Sequence, residues 1–304
     1  MIAAPVRDRI QAALTRGGEL AASRRRPPLF PRRRGRAEAD AGRKVNLAAA
    51  ILALSVLADS GAEHYRGSFR NRAMYAPLGV AGLTLAASLM GIADRRPRRH
   101  PARDGVYAAA AVAGLTGLGF HAYNVLKRPG RLSWHNLFYG APIGAPIALL
   151  LAGLLGRTGE KVRDGAPRYL GLSMERLLGL VSAVGLFGTV GEAGLLHFRG
   201  AFQNPAMVLP VSAPPVAAAL LGHASAVEDA ETGRLARAWL RLTAALGFMG
   251  VGFHLYGVVR QMGGWRNWRQ NLLNGPPLPA PPSFTGLAIA GLAALELLPE
   301  GRDD

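Results

Sequence analysis

The stretch VYAAAAVAGLTGLGFHAYNVL, residues 106–126, decides the class of the fold. His121 and Asn124 are its only strongly polar members, and nothing in it is charged. About 20 apolar residues cross a bilayer as a helix, and a soluble core has no need of so long a run. Working outward, the segments 45–62, 74–93, 137–156, 177–196, 206–222, 243–259 and 278–298 come near the same length. Prolines interrupt two of them, at Pro210, Pro214 and Pro215 and at Pro279, Pro281 and Pro282. Such breaks are tolerated in a spanning helix where neighbours satisfy the freed carbonyls. The expectation is an all-α integral membrane protein with eight transmembrane helices.

Composition agrees with that class. Half of the 304 residues are hydrophobic and only 18% are charged, a low share for a soluble protein of this size. There is no cysteine, which excludes structural disulfides, thiolate zinc, iron–sulfur clusters and covalently attached haem. Any metal or cofactor must therefore rely on His, carboxylate, Tyr or Met. Walker-type phosphate loops, nucleophile elbows, HExxH and dinucleotide fingerprints are all missing from the sequence.

The formal charge of +17 is unevenly placed. With the N-terminus inside, cytoplasmic segments hold Arg24 to Arg26, Arg32 to Arg34, Arg36, Arg43 and Lys44, then Arg95, Arg96, Arg98, Arg99 and Arg103, then Lys161, Arg163 and Arg168. The opposite loops hold fewer, Arg66, Arg70, Arg72, Lys127, Arg128 and Arg131 among them. Basic residues in short loops stay on the cytoplasmic side, which places both termini there in a bacterial-type inner membrane. The basic tail, 1–44, is expected to be disordered and to meet anionic lipid at the cytoplasmic face; it has no folded motif for nucleic acid.

The chain also repeats itself. HYRGSFRNRAMYAP, residues 64–77, matches HFRGAFQNPAMVLP, residues 197–210, at an offset of 133 (197 minus 64). GLGFHAYNV, residues 117–125, matches GVGFHLYGV, residues 250–258, at the same 133 (250 minus 117). Asn136, Leu137, Gly140 and Pro142 pair with Asn271, Leu272, Gly275 and Pro277 after a two-residue insertion. Two motifs on one shift argue for a tandem duplication. A first four-helix repeat then occupies 45–156, a cytoplasmic linker 157–176, a second repeat 177–298 and a short tail 299–304. An even number of spans per unit makes the repeats parallel, related by a pseudo-twofold axis along the membrane normal.

The repeated residues nominate a site. His64 and His121 fall in the outer part of the bilayer, within about one helical turn of each other in depth, and His197 and His254 repeat them. Asp59 and Glu192 also correspond at 133, each about 7.5 Å deeper than its histidine. An ionisable side chain within a span is a functional hypothesis by default.

Three mechanisms fit these types. In the first, His64 with His121 and His197 with His254 hold b-type haem, with Gly119 and Gly252, near Gly117 and Gly250, giving room for a flat ring and Arg66 and Arg199 meeting propionates. This resembles, in general terms, the bis-histidine arrangement of membrane cytochromes b. The twofold axis leaves a His64 with His254 pairing open. The protein would pass electrons between a quinone pool and an outer-face redox partner.

In the second, a non-haem metal ion takes His64, His121 and Asp59, with His197, His254 and Glu192 repeating the set. Five residues turn a helix by about 500°, however, so each acid lies about 140° round from its histidine and suits an indirect role better. In the third, Asp59 and Glu192 serve a proton- or cation-coupled transporter. A cofactor-free structural subunit remains beside these, because His, Arg and Asn in a short outer loop also cap helix ends. His100, His135 and His223 read as solvated, and Trp265 and Trp268 as interfacial anchors.

Overall fold

The computed structural model describes residues 31–227 and 230–298. Residues 1–30 of the basic tail and the 299–304 tail lie outside them. In chain order the elements are α1 (Pro31–Arg66), a 3-10 turn (Arg72–Tyr75), α2 (Ala76–Ala93), α3 (Pro101–Leu126), α4 (Trp134–Tyr139) and α5 (Gly144–Arg163). A small antiparallel hairpin, β1 (Arg168–Tyr169) with β2 (Leu172–Ser173), follows. Then come α6 (Met174–Arg199), a 3-10 turn (Pro205–Val208), α7 (Leu209–Val227), α8 (Ala230–Val259), a 3-10 turn (Gly264–Asn267), α9 (Trp268–Asn274) and α10 (Pro282–Leu297).

The chain is almost entirely helical, and among the described residues six helices are long and apolar enough to cross a membrane. They are Gly35–Arg66, Arg72–Ala93, Pro101–Leu126, Met174–Arg199, Pro205–Val227 and Glu231–Val259. The fourth and last of the eight expected spans are not among them. Where 137–156 was expected to span, a six-residue α4 is followed by α5, which starts at Gly144 and runs on to Arg163. Where 278–298 was expected, α10 is only 16 residues long. The reason is position within the bundle. α5 packs chiefly on α1 and α3, and α10 on α1, α6 and α8. Walled in by helices, these two need not be uniformly apolar or long. Leu151, Leu155, Leu178, Leu186, Leu221, Leu240, Leu287 and Leu295 meet in the main core.

Close backbone approach fixes two of these contacts. A Cβ on Gly114 would lie 2.8 Å from the Leu150 Cα and the Pro146 carbonyl, and one on Gly247 would lie 2.7 Å from the Thr285 nitrogen and 2.8 Å from the Pro281 carbonyl. Only glycine fits there. The tail expectation also shifts, since residues from Pro31 onward already belong to α1, and the 157–176 linker reduces to the end of α5 plus the hairpin.

Candidate functional site

One end of the bundle is built from the repeated loops. Past α1, Ser68 (φ 56°) and Phe69 (φ 45°) adopt the left-handed region, as do Ala201 (φ 55°) and Phe202 (φ 45°) past α6. Non-glycine residues hold that conformation only where surroundings enforce it. Here the Phe69 N–H donates to the His64 carbonyl and the Phe202 N–H to the His197 carbonyl, each at 3.0 Å. The Asn71 and Asn204 side chains accept from Ala73 and Ala206 at 2.9 Å, starting the 3-10 turns. Both loops therefore reverse the chain in the same way.

Each repeated histidine ties such a reversal together. The His64 Nδ1 lies 2.6 Å from the Met74 carbonyl and the His197 Nδ1 2.8 Å from the Met207 carbonyl. The His254 Nδ1 lies 2.7 Å from the Pro277 carbonyl, and the His121 Nδ1 contacts the Pro142 carbonyl. A carbonyl only accepts, so the proton sits on Nδ1 in all four rings and a neutral ring carries its lone pair on Nε2. None of the four Nε2 atoms has a hydrogen-bond partner among the described residues. Phe69 and Phe202 stand edge-on to His64 and His197, with centroids 6.2 and 6.1 Å apart. His121 lies within electrostatic range of His64, and His254 of His197, each within its own half of the chain.

The residues expected to accompany the imidazoles make contacts of their own. Gly119 and Gly252 are exposed on the outer faces of α3 and α8 with nothing near a would-be Cβ, and Gly119 borders a shallow surface depression with Thr116, Phe120 and Tyr123. The nearby Gly117 and Gly250 accommodate Pro146 and Pro281. These glycines pack against neighbouring helices or face outward. Arg66 pairs with Glu63 at 2.7 Å, while Arg199 donates to the Phe138 carbonyl at 2.8 Å and covers the Tyr139 ring. The matched arginines have unmatched jobs.

The acids sit deeper. Glu192 reaches α5, accepting the backbone N–H of Gly144, whose missing side chain leaves room for the carboxylate. Asp59 lies within electrostatic range of Glu63 and Glu192. Among the described residues no three His, Asp or Glu side chains converge to hold a metal ion. The metal sets Asp59–His64–His121 and Glu192–His197–His254 are thus not assembled. The helical turn between acid and histidine is the reason.

A cluster the sequence reading missed lies at the opposite end. Arg103 grips Glu160 with two hydrogen bonds, Nε to Oε1 at 2.9 Å and Nη2 to Oε2 at 3.0 Å, and reaches Asp94 at 3.0 Å. Arg163 donates to the Asp94 carbonyl at 2.7 Å and to the Gly91 carbonyl, and Arg43 to the Ile92 carbonyl at 2.7 Å. Glu160 and Arg163 are 0% exposed and Arg103 is 4%. Alongside, Tyr107 donates to Asn46 at 2.9 Å and meets the Ser88 hydroxyl at 3.1 Å. The charge count placed these arginines in cytoplasmic segments and said nothing of their burial. The i, i+4 spacing of Arg103 and Tyr107 and the i, i+3 spacing of Glu160 and Arg163 were the available signal.

No family model, curated protein or solved structure matches the chain, so its residues carry the functional argument alone.

Proposed function

We propose that the chain is a multi-pass subunit of a bacterial-type inner membrane that binds b-type haem at paired imidazoles and carries electrons between a quinone pool and a redox partner. In this reading its architecture is two parallel four-helix repeats about a pseudo-twofold axis, with α5 and α10 as the innermost member of each and both termini cytoplasmic. Support for the repeat comes from helix ends that recur at 133: Arg66 and Arg199, Leu126 and Val259, Ala76 and Leu209.

The observation that carries the haem reading is the shared hydrogen bond from Nδ1 to a main-chain carbonyl. That bond fixes the tautomer, orients the ring and leaves Nε2 as the ligating atom, as iron requires of an axial imidazole. The glycines no longer contribute to this reading. The donor set fits haem, which when bound supplies one-electron chemistry; the chain's own part would be to hold the four imidazoles by their Nδ1–H with Nε2 left to ligate. The test is an absorption spectrum of the full chain purified in detergent. A Soret band that shifts on reduction, and that disappears in His121→Ala with His254→Ala, is the expected result. A colourless, folded preparation refutes the reading.

A second reading is favoured by the carboxylates: Glu192 lies against the first residue of α5, and Asp59 is within its electrostatic range. Two acids from the two halves suit a proton- or cation-coupled transporter. Ion-driven uptake into liposomes that is lost in Asp59→Asn distinguishes it.

A further inference from the structure

We infer that the loop 94–100, between α2 and α3, is a built site for the phosphate head groups of anionic lipid. Its side chains supply the charge: Arg95, Arg96 and Arg98 are exposed and have no ion-pair partner among the described residues, while Arg99 stands 3.6 Å from Asp164. Its place supplies the depth, since it joins the ends of two helices able to cross a membrane, Arg72–Ala93 and Pro101–Leu126. Guanidinium groups at that level meet phosphates directly.

The backbone of this loop is moored from below. Arg163 holds the carbonyls of Gly91 and Asp94, Arg43 holds that of Ile92, and Glu160 accepts the N–H of His100 at 2.7 Å. Arg103 holds the Asp94 carboxylate, whose other oxygen accepts the Arg96 N–H at 3.0 Å. Burying such charges gains little over apolar packing. In the other half of the chain Ala236 and Leu240 stand 133 positions after Arg103 and Tyr107, and Leu295 stands 135 after Glu160, all 0% exposed.

On that comparison the first half's helices should pack without the charges as well. What the charges add is a fixed course for one loop. A basic loop that served only to set topology would need its charge and no mooring. The corresponding stretch of the sequence, 227–233, carries Glu228, Asp229 and Glu231 in place of a run of arginines.

The experiment is native mass spectrometry of the full chain in neutral detergent. It is titrated separately with phosphatidylglycerol, with phosphatidylcholine of equal chain length and with inorganic phosphate. The native chain should retain phosphatidylglycerol preferentially, and Arg95→Gln with Arg96→Gln and Arg98→Gln should weaken that retention about 100-fold at unchanged helical content. Arg103→Ala with Glu160→Leu and Arg163→Leu keeps those three arginines and removes the mooring; it should weaken retention about fivefold, as much as losing one arginine. Asp94→Asn makes the same test if that variant does not fold. Equal retention of phosphatidylcholine, no response to the loop substitutions, displacement by millimolar inorganic phosphate, or capture of an acidic peptide in place of lipid would each overturn the assignment.

Discussion

A histidine whose Nδ1–H is spent on a carbonyl has two separable properties, the tie it makes and the lone pair it leaves. His254→Asn keeps an N–H near the Nδ1 position and removes Nε2, whereas His254→Ala removes both. The Pro277 carbonyl stranded by alanine should lower unfolding stability in detergent by about 1–3 kcal/mol, while asparagine should hold it nearly level. If the proposed haem is bound, its loss from the asparagine variant at native stability separates ligation from stapling. At the other end, burial pushes the Asp94 carboxyl upward, but the Arg96 N–H and the Arg103 guanidinium outweigh it and hold the group below its ordinary 3.8. A carboxyl depressed on folding stabilises the protein above its unfolded value, and that contribution is lost as pH falls through the lower, folded one. Native and Asp94→Asn melting temperatures should therefore differ at neutral pH and converge only as pH drops below 3.8.

Among the elements, the long apolar helices were readable because apolar length is a local property. The 106–126 run lies within α3, Pro101–Leu126, and 45–62 within α1, Pro31–Arg66. α5 and α10 were not readable in the same way. Their environment is other helices rather than lipid, so Glu160 and Arg163 could enter α5 and a hydropathy criterion shifted its bounds toward the prolines. The loop histidines were legible from the 133 repeat, while their tie to carbonyls, and the outward turn of Gly119 and Gly252, depend on helix rotation that spacing alone left open. Rotation makes a direct prediction. Gly114→Ala and Gly247→Ala force a Cβ into a facing backbone and should each destabilise by about 1–3 kcal/mol. Gly119→Ala and Gly252→Ala meet nothing within 4 Å and should leave both the denaturation midpoint and any cofactor content unchanged. A loss of absorbance in the latter pair would return those glycines to the site.

At the scale of the molecule, two halves with matching loops fill one end differently. The first half places Arg103, Glu160 and Arg163 there; the second places Ala236, Leu295 and Leu298 at the positions reached by offsets of 133, 135 and 135. Because the second filling is compatible with the same order of helices, the two should be exchangeable as sets and not as single residues. Glu160→Leu alone leaves Arg103 and Arg163 buried without their shared carboxylate, and should cost about 3–5 kcal/mol. Adding Arg103→Ala and Arg163→Leu removes the stranded charges and should recover most of that loss, as read from denaturation midpoints in one detergent. The recovery is the informative quantity. If the triple variant is no more stable than the single one, the ionic cluster is supporting the first half's packing itself, and the two halves are not alternative solutions to one packing problem.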